Sequence, residues 1–174
     1  MKIPKAICTL AVILALVLTA GAARGQFFFE EDTLIGQQAP DFTLNTLKEK
    51  NVKFSALRGT DSAILFFWAT WCPHCRDAIK DLTKKAQEMS SQGIRVVLVD
   101  LGETAREVQP YVTKKKIPFD VFLDTDSSLS DPYNLIGVPT FIFVGKDGVI
   151  KAIEHELPGN YEAVLSGRDQ KGGL

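Results

Sequence analysis

Cysteine is scarce in this chain of 174 residues, which contains only three. A framework of several disulfide bridges is therefore excluded. Cys8 lies in an N-terminal apolar segment, so Cys72 and Cys75 are the pair left in the rest of the sequence. A lone Cys-x-x-Cys pair suits reversible chemistry better than structural cross-linking.

The chain also lacks an excess of charge of either sign. Its 20 Lys and Arg residues face 21 Asp and Glu residues, for a formal net charge of -1. Nothing therefore indicates nucleic acid as a partner, or a basic surface that binds membranes. Internal repeats and low-complexity segments are absent too. A hydrophobic content of 45% fits one domain with a substantial core plus a targeting segment.

The N-terminal residues 1–23 have the layout of a secretory signal peptide. Lys2 and Lys5 precede an apolar run over residues 6–18, and small residues follow at 20–23. The run is shorter than the roughly 20 residues of a spanning helix, but its extension to residue 23 leaves an uncleaved membrane anchor as an alternative. We therefore expect an exported protein, either periplasmic or tethered to the outer face of the cytoplasmic membrane.

The remaining chain divides into three parts by composition. We expect a linker over residues 24–35, a single domain over residues 36–168 and a polar tail over residues 169–174.

The cysteine pair follows an apolar, aromatic run. Residues 62–68 predict a buried strand, and residues 73–91 predict a helix with one apolar side. Cys72 should therefore lie at the helix N-cap, with Pro73 in the first turn, where its missing N–H costs nothing. The positive end of the helix dipole favours a thiolate at Cys72. The pair can then close a short disulfide and reopen it.

The other patterns predict a mixed α/β domain. Alternation around Phe42–Leu44 and Val52–Phe54 predicts an antiparallel strand pair. Thr104 and Glu107 match a capping box that opens a second helix. Further strands are predicted at residues 94–99, 119–123, 141–144 and 149–153. A turn or short helix closed by glycine is predicted at 54–59, short helices at 129–135 and 160–165, and a hairpin turn at 145–148. We expect a mixed central sheet with helices on both faces.

The motifs around the cysteines resemble the thioredoxin superfamily. The stretch Trp68–Cys75 is followed about 60 residues later by Gly137–Thr140, and Ala39–Phe42 resembles the start of the exported TlpA/ResA-type branch. The similarity covers residues 36–165. It implies a thioredoxin fold and thiol-disulfide exchange with protein substrates, with no cofactor beyond the Cys72–Cys75 disulfide. It also implies a membrane electron donor for the pair.

The resemblance implies roles for individual residues. Cys72 would be the attacking thiolate and Cys75 the more buried, resolving thiol. Pro139 would be a cis proline facing the disulfide, and Val138 would offer its backbone to an extended substrate. Trp71 would frame an apolar rim for that substrate together with Pro73.

Two acids expected from the resemblance are missing. Thioredoxins carry a buried Asp where this chain has Phe66, and ResA-type proteins usually carry a Glu where it has Ala78. Both acids are proposed to handle the proton of the buried cysteine. Asp77 and Glu103 are the acids not far away in sequence, although Asp77 fits the solvated side of its helix. The sequence therefore predicts no buried acid behind the pair, and water or the substrate is the alternative route for the proton.

The direction of electron flow has two interpretations. Pro73-His74 resembles the dipeptide of DsbA, and His74 would stabilise the Cys72 thiolate and lower the pKa of that thiol. The rest of the chain resembles reductants, which often act on apocytochrome c, and no helical insertion of the DsbA kind fits between Asp100 and Phe119. We expect a reductant with a potential above that of thioredoxin; a DsbA-like oxidant is the alternative.

Two other classes of protein share this fold. A copper chaperone would use the cysteines and a histidine, but such proteins have a longer cysteine spacing. The only histidine besides His74 is His155, which stands between two glutamates. A thiol peroxidase would need a Thr three residues before its cysteine, whereas Thr70 lies two before Cys72. We expect no metal site and no peroxidase site.

Overall fold

The computed structural model describes residues 34–168 of the chain. The predicted export segment, nearly all of the predicted linker and the polar tail lie outside the described residues. Within residues 34–168, no helix combines the length and the apolar character needed to cross a membrane.

Seven strands and four helices make up the described part of the domain. The strands are β1 Thr43–Thr46, β2 Val52–Lys53, β3 Ser62–Trp68, β4 Ile94–Leu101, β5 Asp120–Asp124, β6 Thr140–Val144 and β7 Ile150–Glu154. The helices are α1 Phe54–Arg58, α2 Pro73–Ser91, α3 Ala105–Lys115 and α4 Tyr161–Leu165.

The strands form one mixed sheet in the order β2-β1-β5-β4-β3-β6-β7. The central strands β3, β4 and β5 run parallel, and the remaining pairs are antiparallel. The predicted α/β class with an N-terminal strand pair is thus confirmed. Trp68 at the end of β3 lies opposite Asp100 on β4, which places both residues at the edge where α2 begins.

Two apolar clusters cover the two faces of the sheet. Alternate β3 residues belong to opposite clusters: Ile64, Phe66 and Trp68 lie on one face, with Leu65 and Phe67 on the other. Residues of α2, α3 and α4 pack on the first face, and residues of α1 and of the 129–135 segment pack on the second. The crossovers from β3 to β4 and from β4 to β5 step in the same direction, so right-handed connections bring α2 and α3 to the same face.

The turn or short helix predicted over residues 54–59 is the helix α1, with Gly59 as its C-cap residue. Two local predictions are corrected by the structure. The strand β4 continues two residues further than predicted, to Leu101. The segment 129–135 forms consecutive turns where a short helix was predicted. The Asp124 carboxylate accepts hydrogen bonds from the backbone N–H groups of Ser128 and Leu129, which satisfies these donors locally and favours turns.

Candidate active site

Cys72 is the N-cap residue of α2, as the sequence predicts. Its backbone is extended, and Pro73 begins the helix. The backbone N–H of Cys75 donates a hydrogen bond to Cys72 Sγ, with an N-to-S distance of 3.1 Å. An N–H donor and the helix N-terminus both stabilise negative charge on this sulfur. The local sequence therefore prepares Cys72 to act as a thiolate.

Cys72 and Cys75 are joined by a disulfide in the structure. Both side chains are buried, Cys72 with 3% of its surface exposed and Cys75 with none. Cys72 keeps the small exposed fraction because it lies at the turn before the helix. The geometry is consistent with the predicted roles of an attacking and a resolving cysteine.

The segment opposite the disulfide contains the predicted cis proline. The Val138–Pro139 peptide bond is cis, and the Val138 carbonyl oxygen lies 4.0 Å from Cys72 Sγ. The Pro139 carbonyl oxygen lies 2.9 Å from His155 Nδ1. Since a carbonyl only accepts, His155 Nδ1 carries the hydrogen in this contact. His155 is exposed, as the sequence suggests. It nevertheless contacts the segment that faces the cysteines.

Large apolar side chains are exposed next to Cys72 in the chain and two residues before Val138, the residue that faces it. Trp71 is 67% exposed and Ile136 is 93% exposed, and they are two of the three large hydrophobic side chains exposed within residues 34–168. The sequence indicated Trp71 but not Ile136, because Ile136 stands beside Leu135 in an apolar pair that is also typical of a core. Pro73 is exposed next to Trp71.

A groove of about 490 Å³ runs beside the disulfide between the start of α2 and the segment after β7. Its apolar lining includes Ala78, and its polar lining includes His74. Asp77 also lines the groove, where a hydrogen bond from Lys80 lowers the pKa of its carboxyl group. His74 is thus exposed at the groove's edge, next to the pair it was predicted to tune. No group of three or more His, Cys, Asp or Glu side chains in the described part of the chain is arranged to hold a metal ion.

A buried acid lies on the neighbouring strand, which corrects the prediction that none is present. Asp100 is completely buried at the end of β4, and within residues 34–168 Glu103 is the one residue close enough to hydrogen-bond with its carboxyl group, without a well-formed bond to either oxygen. Burial, reinforced by the neighbouring Glu103 carboxylate, raises the pKa of Asp100 to about 8. The signal in the sequence was an acid at the end of an apolar run, which the predicted end of β4 at residue 99 placed outside the strand.

Glu103 links this acid to the active-site turn. Its carboxylate accepts hydrogen bonds from the backbone N–H and from the hydroxyl group of Thr70, each with a donor–acceptor distance of 2.5 Å. Thr70 lies two residues before Cys72, so Glu103 holds the turn that carries the cysteines. Sequence separation alone does not reveal this contact between residues 33 positions apart.

Trp71→Ala is expected to weaken binding of protein substrates without slowing small-molecule chemistry. A large exposed aromatic side chain beside the reacting sulfur is typical of an interface hot spot, so KM for a protein disulfide should rise about tenfold or more. Stopped-flow rates with a protein substrate and with a small aromatic disulfide separate the two effects. Unchanged rates with the protein substrate would remove Trp71 from the docking surface.

Comparison with known proteins agrees with this site. The AhpC/TSA family pattern matches residues 35–153, and the chain belongs to that family. It is 29% identical over 145 residues to the thiol-disulfide oxidoreductase ResA of Bacillus subtilis, covering 82% of this chain and 80% of that protein. ResA of Geobacillus kaustophilus is also 29% identical over 145 residues, with 82% and 83% covered.

Solved structures show the same fold. A thiol:disulfide interchange protein of the thioredoxin family from Chlorobium tepidum superposes with a TM-score of 0.64 at 24% identity, covering 74% of this chain and 93% of that chain. A thiol:disulfide interchange protein from a Bacteroides species gives a TM-score of 0.65 at 24% identity, with 80% and 93% covered. The fold, the Cys72–Cys75 pair and the relatives together define a thiol-disulfide oxidoreductase of the ResA type.

Proposed function

We propose that this protein is an exported reductant that transfers electrons from Cys72 and Cys75 to disulfides of protein substrates. Apocytochrome c in cytochrome c maturation is an example of such a substrate. A membrane electron donor would return the pair to its dithiol form, and residues 1–23 would direct export or tether the chain. No cofactor beyond the cysteine pair is part of the proposal.

The connection between β4 and β5 is the observation that supports a reductant over an oxidant. β4 ends at Leu101, α3 spans Ala105–Lys115, and β5 begins at Asp120. This short crossover leaves no room for the helical insertion expected of a DsbA-like oxidant. The similarity to ResA proteins supports the same choice.

The surroundings of Cys72 support a protein as the substrate. The apolar rim formed by Trp71 and Ile136 is open to solvent, and the Val138 backbone faces the cysteine. An extended polypeptide could pair with this backbone while its cysteine approaches Cys72. A peroxidase is not favoured, because Thr70 lies two residues before Cys72 instead of three and donates its hydroxyl hydrogen to Glu103.

The reduction potential tests the predicted effect of the residues around Cys72. We expect a potential above the value of about −270 mV for thioredoxin and below about −120 mV for DsbA, since His74 and the helix N-terminus favour the thiolate. A glutathione redox titration measures it. A value at or below that of thioredoxin would contradict the predicted effect of His74.

The direction of electron flow needs a separate measurement. Thiols in the producing bacterium can be alkylated rapidly after acid quenching, and the modified forms of the pair separated by mass. A pair found mostly as dithiol is the expected result for a reductant that is supplied by a membrane donor. A pair found mostly as disulfide would favour the DsbA-like alternative.

A further inference from the structure

Asp100 is a carboxyl group in the protein interior that lacks a well-formed hydrogen bond. Within residues 34–168, the other fully buried acid is Asp124, whose carboxylate accepts hydrogen bonds from Ser128 and Leu129. In the same part of the chain, Asp100 has no well-formed hydrogen bond to either oxygen, and Glu103, itself an acid, is the one residue close enough to approach one. A buried polar group without a partner is costly, so its presence calls for an explanation beyond packing.

The sheet places Asp100 on the same face as the cysteine pair. On β4, Val96 and Leu98 belong to the cluster that contains Cys72 and Cys75, whereas Val97 and Val99 belong to the opposite cluster. Side chains alternate along a strand, so Asp100 continues the first set. Its partner across the β3–β4 ladder is Trp68, four residues before Cys72.

The groups around Asp100 are acidic, aromatic or apolar. The acidic neighbours are Glu103 and, on α3, Glu107. Trp68 on β3 and Leu123 on β5 flank it within the sheet. Tyr111 on α3 contacts the ring of Trp68. Cys72 and Cys75, at the start of α2, belong to the same apolar cluster as Trp68. Among the described residues, the main groups that act on the pKa of Asp100 include no cation. The protonated, neutral form of the Asp100 carboxyl group is therefore favoured.

Exchange through a buried second cysteine requires a proton acceptor. Cys75 is fully buried, and only its thiolate can attack a mixed disulfide. We propose that Asp100 takes up the proton of the Cys75 thiol during this attack and that Glu103 passes it on toward solvent. A carboxyl group whose proton affinity is raised by burial is well matched to a thiol, whose usual pKa is about 8.5.

The proposed step balances in charge and electrons. In the mixed disulfide, Cys72 Sγ is bonded to a substrate sulfur, and Cys75 is a thiol. In the fraction of molecules in which Asp100 is ionised, the Cys75 proton moves to the Asp100 carboxylate, and the Cys75 sulfur forms a bond to Cys72 Sγ. The bond from Cys72 to the substrate breaks, and its electron pair leaves on the substrate sulfur as a thiolate. The cysteine pair has then lost two electrons, and the substrate disulfide has gained them.

Glu103 provides the connection from Asp100 to the surface. Its side chain is half-buried and contacts Thr70, while Asp100 is fully enclosed. In the reverse reaction, Asp100 returns the proton to Cys75 as its sulfur leaves. The role of Asp100 is therefore the same for either direction of electron flow, and it rests only on disulfide exchange.

The two steps can be separated with dithiobis(nitrobenzoate) and the reduced full chain carrying Cys8→Ser. Attack by Cys72 releases a first coloured thiolate, and attack by Cys75 releases the second. For Asp100→Asn we expect an unchanged first phase and a second phase slowed by on the order of tenfold to 100-fold at neutral pH. The pH dependence of the second phase should lose its inflection, and Asp100→Glu should restore part of the rate.

Asp120→Asn is the matched control, because Asp120 is paired with Lys48 on the surface away from the cysteines. Both of its phases should equal those of the parent protein. A second phase in folded Asp100→Asn that follows the parent protein at every pH would overturn the proposal.

A measurement on the unsubstituted protein covers the case in which Asp100→Asn does not fold. Carbon-13 labelling of the aspartate carboxyl groups allows each to be titrated by NMR in the disulfide and dithiol forms. We expect one carboxyl to titrate with a pKa of about 8 and a midpoint that differs between the two forms. Midpoints identical in the two forms for every aspartate would refute the coupling to Cys75.

Discussion

Cys72→Ser is expected to lose insulin reduction completely, down to the rate of dithiothreitol alone. Cys72 is the cysteine of the pair with exposed surface, and its sulfur lies at the N-terminus of α2 with the N–H of Cys75 directed at it. A serine hydroxyl group cannot replace the thiolate as a nucleophile toward sulfur. Turbidity from the precipitating insulin B chain measures the rate, with Cys8→Ser as the control for a cysteine outside the pair.

Cys75→Ser should behave differently from Cys72→Ser. It keeps the attacking thiolate but cannot resolve the mixed disulfide, so covalent complexes should accumulate. These complexes can be isolated from the producing bacterium under non-reducing conditions and the partners identified by mass spectrometry. Complexes that form with Cys72→Ser instead would reverse the assigned roles of the two cysteines.

The second large effect concerns stability and its dependence on pH. The pKa of Asp100 is about 8 in the folded protein and about 3.9 in an unfolded chain. Between these values the folded state holds a proton that the unfolded state releases, so stability falls as pH rises, by up to about 1.4 kcal/mol per pH unit. Asp100→Asn has no such proton, and its stability should change less over this range.

Thermal unfolding of the oxidised protein at about pH 5 and about pH 8, followed by circular dichroism, tests this expectation. Relative to the parent protein, Asp100→Asn should gain stability between the lower and the higher pH, with a change in melting temperature of roughly several degrees. A constant difference between the two proteins would show that Asp100 does not take part in the pH dependence.

Asp124→Asn is the contrasting variant for this experiment. Asp124 is equally buried at the end of the adjacent strand β5, but Ser128 and Leu129 donate hydrogen bonds to its carboxylate. An amide at this position presents one oxygen instead of two, so a donor loses its partner. We expect a loss of about 1–3 kcal/mol in the free energy of unfolding near neutral pH.

The secondary structure around the cysteines could be predicted because its causes are local. The apolar run Ser62–Trp68 indicated the bounds of β3, and Pro73 with the periodic apolar residues indicated those of α2. Thr104 and Glu107 form the predicted capping box. The turns at 129–135 were missed because the competing hydrogen bonds come from Asp124, which lies outside that segment.

The sequence by itself determined that a Cys-x-x-Cys pair begins a helix behind a buried strand, because spacing, proline placement and apolar periodicity act over a few residues. Tertiary structure alone decided which groups surround that pair. Asp100 and Glu103 reach the active-site turn through the pairing of β4 with β3, and His155 reaches Pro139 through the pairing of β7 with β6. Burial of Asp100 beside a second acid, Glu103, is a property of this three-dimensional arrangement, and that burial makes Asp100 a candidate proton acceptor.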